Sequence, residues 1–140
     1  MPPGSSIVIT VSAVAPFASS FEASKDAAAQ NGTGAYAPSP TAGVFYISET
    51  ALLGMVVLLA KELGTDGIRV NAVAPGPVRT RFASDLWVGD AEDQNAKSRF
   101  LGRIGEPEDI AGAVAFICSD DAGWYTGQTM SIDGGAYSRL

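Results

Sequence analysis

Gly67-Ile68-Arg69-Val70-Asn71-Ala72-Val73-Ala74-Pro75-Gly76 decides the fold. Its first half is β-branched and mostly apolar, which predicts a strand over Ile68 to Val73, and Pro75-Gly76-Pro77 stops it. Upstream, Phe45 to Leu63 carries Leu52, Leu53, Val56, Val57 and Leu59 with little polar surface near its middle. That pattern predicts a helix packed on more than one side. Gly64 and Gly67 bracket its end, as a C-cap region requires. Further upstream, Ser6 to Val11 is short, β-branched and nearly all apolar, so it reads as a strand buried on both faces of a parallel sheet.

Downstream, Arg79 to Val88 and Ala91 to Phe100 are short polar-to-amphipathic segments. Pro107 sits at a helix start, with Glu106, Glu108 and Asp109 on the positive end of the dipole. The helix runs on through Ile110, Val114, Phe116 and Ile117. Thr129 to Ile132 is a third strand, closed by Gly134-Gly135. The order strand, helix, strand, helix, strand predicts an α/β chain with a parallel three-stranded sheet and flanking helices.

Bulk composition narrows the function. The 140 residues are 46% hydrophobic and 17% charged, with a net charge of −6 and no histidine. Such a chain is globular rather than disordered. It argues against nucleic acid as a partner, because phosphate binding needs clustered Lys and Arg. An anionic cofactor stays open, since backbone amides bind phosphate locally. The longest apolar run, Ala51 to Ala60, is half a membrane span, so no membrane is expected, and the Met1-Pro2-Pro3-Gly4 start does not read as a signal peptide. The lone Cys118, beside Ala115, Phe116 and Ile117, reads as a small core residue. No metal site is expected. Residues 18–43 are rich in Ala, Ser, Gly, Pro and Asn and carry Asn31-Gly32 and Pro38-Ser39-Pro40, which predicts a long loop or insertion.

Three blocks together carry a family signature. Leu63-Gly64 with Gly67 to Gly76, then Gly105-Glu106-Pro107-Glu108-Asp109-Ile110-Ala111, then Thr126-Gly127-Gln128 with Asp133-Gly134-Gly135, resemble the C-terminal part of short-chain dehydrogenases/reductases. The resemblance implies a Rossmann-like, doubly wound fold, NADP or NAD as cofactor, and oxidoreduction of carbonyl or alcohol groups. Arg79-Thr80-Arg81-Phe82, Leu86-Trp87 and the ending Ser138-Arg139-Leu140 resemble the peroxisomal NADP-dependent carbonyl reductases of that family. The ending implies a peroxisomal address, with the cytoplasm as the alternative. By the same resemblance Pro75, Gly76, Val78 and Thr80 hold the nicotinamide. Gly lets backbone approach a ring closely, and a Thr hydroxyl with a free amide can bind a carboxamide.

The catalytic set departs from the family. Members use a Ser to orient the substrate oxygen, a Tyr to donate the proton, and a Lys whose charge favours tyrosinate. Aligning Thr50-Ala51-Leu52-Leu53-Gly54 puts Phe45 at the Tyr and Glu49 at the Lys, and aligning Val11 to Ala15 puts Ala13 at the Ser. No catalytic group is intact. Ser12 and Tyr46 lie one residue away. One step turns a helix side chain by about 100° and puts a strand side chain on the opposite face. Phe21-Glu22-Ala23-Ser24-Lys25 is a second match to the same block; it keeps the Lys and still lacks the Tyr. The glycine-rich turn that cradles the pyrophosphate is not found, and Gly32-Thr33-Gly34 is only a weak echo of it.

The chain therefore reads as a partial family domain over residues 1–140, without the N-terminal dinucleotide-binding half. Three readings stay open. One is a carbonyl reductase-like oxidoreductase that is inactive or impaired. Another is a non-catalytic module pairing with itself or with full-length relatives, using the apolar helix that begins near Phe45. The last is an incomplete or misjoined coding sequence. A small carbonyl substrate is expected in the first. The segment 79–100, the family's variable substrate cover, offers Phe82, Leu86, Trp87 and Phe100, which fit an apolar carbonyl compound or simply cover the core.

Overall fold

The computed structural model describes residues 1–13, 42–82 and 89–135. β1 (Ser6–Thr10), β2 (Arg69–Pro75) and β3 (Thr129–Ile132) form one parallel sheet in the order β1-β2-β3. Ile7 pairs with Val70, Ile9 with Ala72, and Val73 with Met130. Three helices flank it: α1 (Ala42–Leu63), α2 (Asp90–Lys97) and α3 (Pro107–Cys118). The α/β class and the three parallel strands follow the sequence expectation.

β2 is the buried strand. Val70 to Ala74 are all fully buried, whereas β1 is only half-buried along its length. The expectation that β1 is fully buried on both faces does not hold: Ser6 to Ile9 are half-buried and Thr10 is exposed, and β1 lies at the edge of the described sheet. Strand alternation sends the even-numbered and odd-numbered residues of β2 to opposite faces. Ala72 and Ala74 pack with Val56 of α1, Val11 and Ala13, and Ile9, Leu52 and Leu53 line the rim. Small alanines let the helix approach the sheet closely. On the other face, Arg69 donates to the Ile117 carbonyl at 2.7 Å and the Ser119 carbonyl at 3.0 Å, fastening the end of α3 to the strand.

α1 starts at Ala42, so the last two residues of the expected 18–43 loop are helical; the remainder, 18–41, lies outside the described residues. The glycine stop is as expected: Gly67 has a φ of 71° and its amide returns to the Gly64 carbonyl. Although α1 is apolar almost all round, Val44, Ile47, Val57 and Leu58 are exposed. The Cys118 expectation is overturned. Ile117 takes the core position, and the next residue, about 100° further round the helix, is exposed. No described helix is long and apolar enough to cross a membrane, and no described cluster of side chains could hold a metal ion.

α3 begins with a capping box. The Glu106 amide donates to Asp109 Oδ2 at 2.8 Å, and Pro107 occupies the first turn. Arg103 grips the same carboxylate through both guanidinium ends, at 2.6 and 2.8 Å. The Arg103 hydrogen bonds, then the Glu106 amide, hold the Asp109 carboxyl well below the usual carboxylate range. A carboxylate depressed by folding stabilises the native state above its unfolded value, about 3.9 for Asp. That contribution fades as pH falls through the lower folded value. Asp109→Asn is therefore expected to be less stable than the parent at neutral pH, with the gap closing in acid. Thermal unfolding across the acid range checks this.

Candidate functional site

The exits of β1 and β2 meet α1 at one end of the sheet. The Ala13 amide donates to the Pro75 carbonyl at 3.0 Å, continuing the β1–β2 ladder past both strands. Ala13 is almost fully buried. In a parallel ladder alternate amides point to opposite edges. The amides of Val11 and Ala13 face β2, so that of Ser12 faces outward. It is met there by Glu49 of α1, whose Oε2 accepts from the Ser12 amide at 2.7 Å. A charge-assisted bond of this length ties the helix to the strand exit.

Phe45 is half-buried one helical turn before Glu49, at the i, i+4 spacing that puts two side chains on one face. Its carbonyl accepts from Ser48 Oγ at 2.8 Å. Positions 13, 45 and 49 thus carry a methyl, a phenyl and a carboxylate. None is a hydroxyl or an ammonium, and no proton can pass from a phenyl ring. Ser12 and Ala13 occupy opposite sides of the strand exit, so a one-residue shift does not bring a hydroxyl to the place of Ala13. The side chain of Tyr46 and the whole of 21–25 lie outside the described residues.

The turn that follows β2 is closely supported. The Gly76 amide donates to the Ile132 carbonyl at 2.9 Å. A Cβ at Gly76 would fall 2.9 Å from Asp133 Cα and 3.0 Å from its Cβ. Glycine is required here by backbone proximity. Gly76→Ala is expected to cost roughly 1–3 kcal/mol, because the obstacle is main chain that cannot rotate away; chemical denaturation measures it. Val78 bridges Gly105 in parallel: Arg79 N–H reaches the Gly105 carbonyl at 2.9 Å, and Gly105 N–H reaches the Pro77 carbonyl at 3.1 Å. The Thr80 amide closes on the Val78 carbonyl at 2.7 Å. The Val78 amide takes part in none of these bonds.

The family model described as enoyl-(acyl carrier protein) reductase matches residues 5–137. The chain belongs to the short-chain dehydrogenase/reductase family. Dehydrogenase/reductase SDR family member 4 of Bos taurus is 46% identical over 107 residues, covering 76% of this chain and 38% of the relative. The human protein of the same name is 45% identical over 107 residues, with the same coverage of both chains. The chain thus spans well under half the length of these curated relatives. Among solved structures, a short-chain dehydrogenase/reductase from Serratia marcescens aligns with a TM-score of 0.73 and 33% identity, over 99% of this chain and 48% of that one. A blue fluorescent protein from a metagenomic library, in complex with NADPH, aligns with a TM-score of 0.76 and 31% identity, over 99% and 47%. The Rossmann-like fold expected from the sequence is the fold of these neighbours.

Sequence reasoning placed 13, 49, 75 and 76, and the structure brings all four to one end of the sheet. It missed the Ser12–Glu49 bond, because sequence does not say which edge an amide faces. It also missed a three-residue ion cluster. Arg79 Nη2 meets Glu92 Oε1 of α2 at 2.6 Å, and Arg79 Nε meets Glu106 Oε1 at 2.9 Å. These hydrogen bonds, Glu92 before Glu106, raise the Arg79 pKa further. Of the residues in the expected substrate cover, Phe82 and Phe100 are exposed, and Leu86 and Trp87 lie outside the described residues.

Proposed function

We propose that this chain is a carbonyl reductase-like member of the family whose proton relay has been dismantled, leaving the nicotinamide turn Pro75, Gly76, Val78 and Thr80. The observation that carries this reading is the engagement of Glu49 with the Ser12 amide, at the position where the family resemblance puts an ammonium. Proton transfer by a positioned side chain contributes about two to four orders of magnitude to such reactions. With Ala13, Phe45 and Glu49 at the three positions, reduction of an apolar ketone by NADPH or NADH is expected to stay at the level of the protein-free control. The same assay run with dehydrogenase/reductase SDR family member 4 supplies the positive reference. Saturable cofactor oxidation by this chain overturns the reading.

NADP or NAD is the proposed cofactor, supported by the NADPH held in a structural neighbour. The turn fits its carboxamide end, whereas Glu49 offers no cation to the ribose or to a phenolate.

A second reading rests on α1. Its exposed Val44, Ile47, Val57 and Leu58 favour a chain that pairs with itself or with a full-length relative. Sedimentation of the purified chain separates the two readings, since a monomer that captures no relative leaves only the first. The address Ser138-Arg139-Leu140 supports a peroxisomal place over a cytoplasmic one, which imaging of the chain with and without that tripeptide decides.

A further inference from the structure

The turn after β2 is held at its two ends in different ways. At the far end the hold is by hydrogen bonds. Arg79 donates its amide to the Gly105 carbonyl at 2.9 Å, and Gly105 donates its own to the Pro77 carbonyl at 3.1 Å. At the near end the β2–β3 ladder runs out at the Pro75–Ile132 pair, and the Gly76 amide makes the last rung, to the Ile132 carbonyl at 2.9 Å. Beyond that rung Gly76 rests on main chain. Asp133 Cα lies 2.9 Å from where a Gly76 Cβ would be. The place of Gly76 is therefore tied to the place of the Asp133 backbone.

Asp133 closes a turn of its own. Its Oδ1 accepts from the Gly135 amide at 2.8 Å, an aspartate bonding main chain two residues on. The two glycines that follow it have φ of 68° and 89°. Such a pair has wide conformational freedom, and a bond that spans it removes much of that freedom. A bond from an amide to a carboxylate is among the stronger ones. The far side of this turn is braced by the Leu101 amide, which donates to the Gly134 carbonyl at 3.1 Å, and by the Phe100 ring beside Gly135. Leu101 and Gly105 belong to one short segment. The same stretch of chain thus braces the exit of β3 and the far end of the turn after β2, and the Asp133 carboxylate is the link next to Gly76.

We propose that Asp133 is a positioning residue for the Pro75–Gly76 turn: its carboxylate closes the turn at the exit of β3, and the main chain so held sets where Gly76 lies. The consequence for a nicotinamide rests on the function proposed above; the positioning itself does not.

Amide hydrogen exchange and NMR of the full chain without cofactor test it. In Asp133→Ala the Gly76 amide is expected to exchange roughly tenfold faster relative to Ala72 in the middle of β2, as a locally loosened segment does. Its resonance should move as well, while that of Ala72 stays in place. Asp133→Asn keeps the Oδ1 acceptor and changes the other oxygen, so it separates this bond from any further contact of the carboxylate; it should restore the parent behaviour at Gly76. If Asp133→Ala does not fold, Asp133→Ser, with a shorter and weaker acceptor, takes its place and is judged in the same way. A Gly76 amide that ignores the loss of the carboxylate, a change shared equally by Gly76 and Ala72, or an Asp133→Asn chain that behaves like Asp133→Ala overturns the proposal. Titration with NADPH then reads the consequence, with weaker binding by Asp133→Ala than by Asp133→Asn. A parent chain that binds no NADPH counts against the oxidoreductase reading, and the cofactor-free exchange still decides the role of Asp133.

Discussion

Replacing Asn71 by leucine is expected to destabilise the fold by roughly 1–3 kcal/mol, the cost of a buried polar group left without its partner. Asn71 sits in the middle of β2 with no exposed surface. Its Nδ2 donates to the Tyr125 carbonyl at 2.8 Å, and its Oδ1 accepts from the Gln128 amide at 3.1 Å. One side chain thus supplies both partners for a loop that runs down the sheet into β3. Leucine has a similar size and neither group, so the Gln128 amide loses this partner and the Tyr125 carbonyl keeps only the long 3.5 Å bond from Arg69. Thr126 makes a parallel but smaller contribution by accepting from the Val70 amide at 3.0 Å. Asn71→Asp keeps the acceptor but buries a carboxylate with one oxygen facing the Tyr125 carbonyl, so it is expected to lose at least as much as Asn71→Leu at neutral pH. Urea unfolding measures both, with a lowered midpoint and an unchanged slope expected for each.

The second large effect concerns the position that defines the site. Glu49→Lys restores the residue type that the family resemblance calls for, and it is expected to destabilise the chain by roughly 1.5–3 kcal/mol, the worth of a hydrogen bond to a charged group. Lysine has no acceptor, so the outward amide of Ser12 loses this partner. Glu49→Gln keeps an acceptor oxygen without the charge and is expected to cost about half as much. Thermal unfolding should rank the parent first, Glu49→Gln second and Glu49→Lys last, an order that separates a structural role from a neutral substitution. The consequence for activity is that the single reversal does not rebuild the relay. Phe45 still lacks an oxygen, and the tie between α1 and the exit of β1 has been lost.

The sheet was legible because its signals are local. The β-branched run at Ile68 to Val73, the proline stop and the glycine at the helix end each act within a few residues, and each lies where expected. The start of α1 was placed three residues late because Ala42, Gly43 and Val44 carry no cap signal; the structure finds no acidic residue in that first turn. Cys118 was misassigned because periodicity identifies a stripe only to within one residue, and Ile117 is the member that points inward. The identities at 13, 45 and 49 could be read from sequence once the blocks were aligned. Their consequence could not. That Glu49 turns to an amide at the exit of β1 depends on strand direction and register, which only the assembled ladder defines. The Arg79 cluster was equally silent, since its partners lie 13 and 27 residues away on two different helices.

The contact between Glu49 and the Ser12 amide is the claim on which the dismantled relay depends, and amide NMR reads it directly. In the parent chain the Ser12 amide resonance is expected far downfield, and Glu49→Ala should move it upfield while leaving the Ala13 amide, bonded to Pro75, unchanged. A Ser12 amide that already resonates where an unbonded amide does, or that stays in place in Glu49→Ala, contradicts the account.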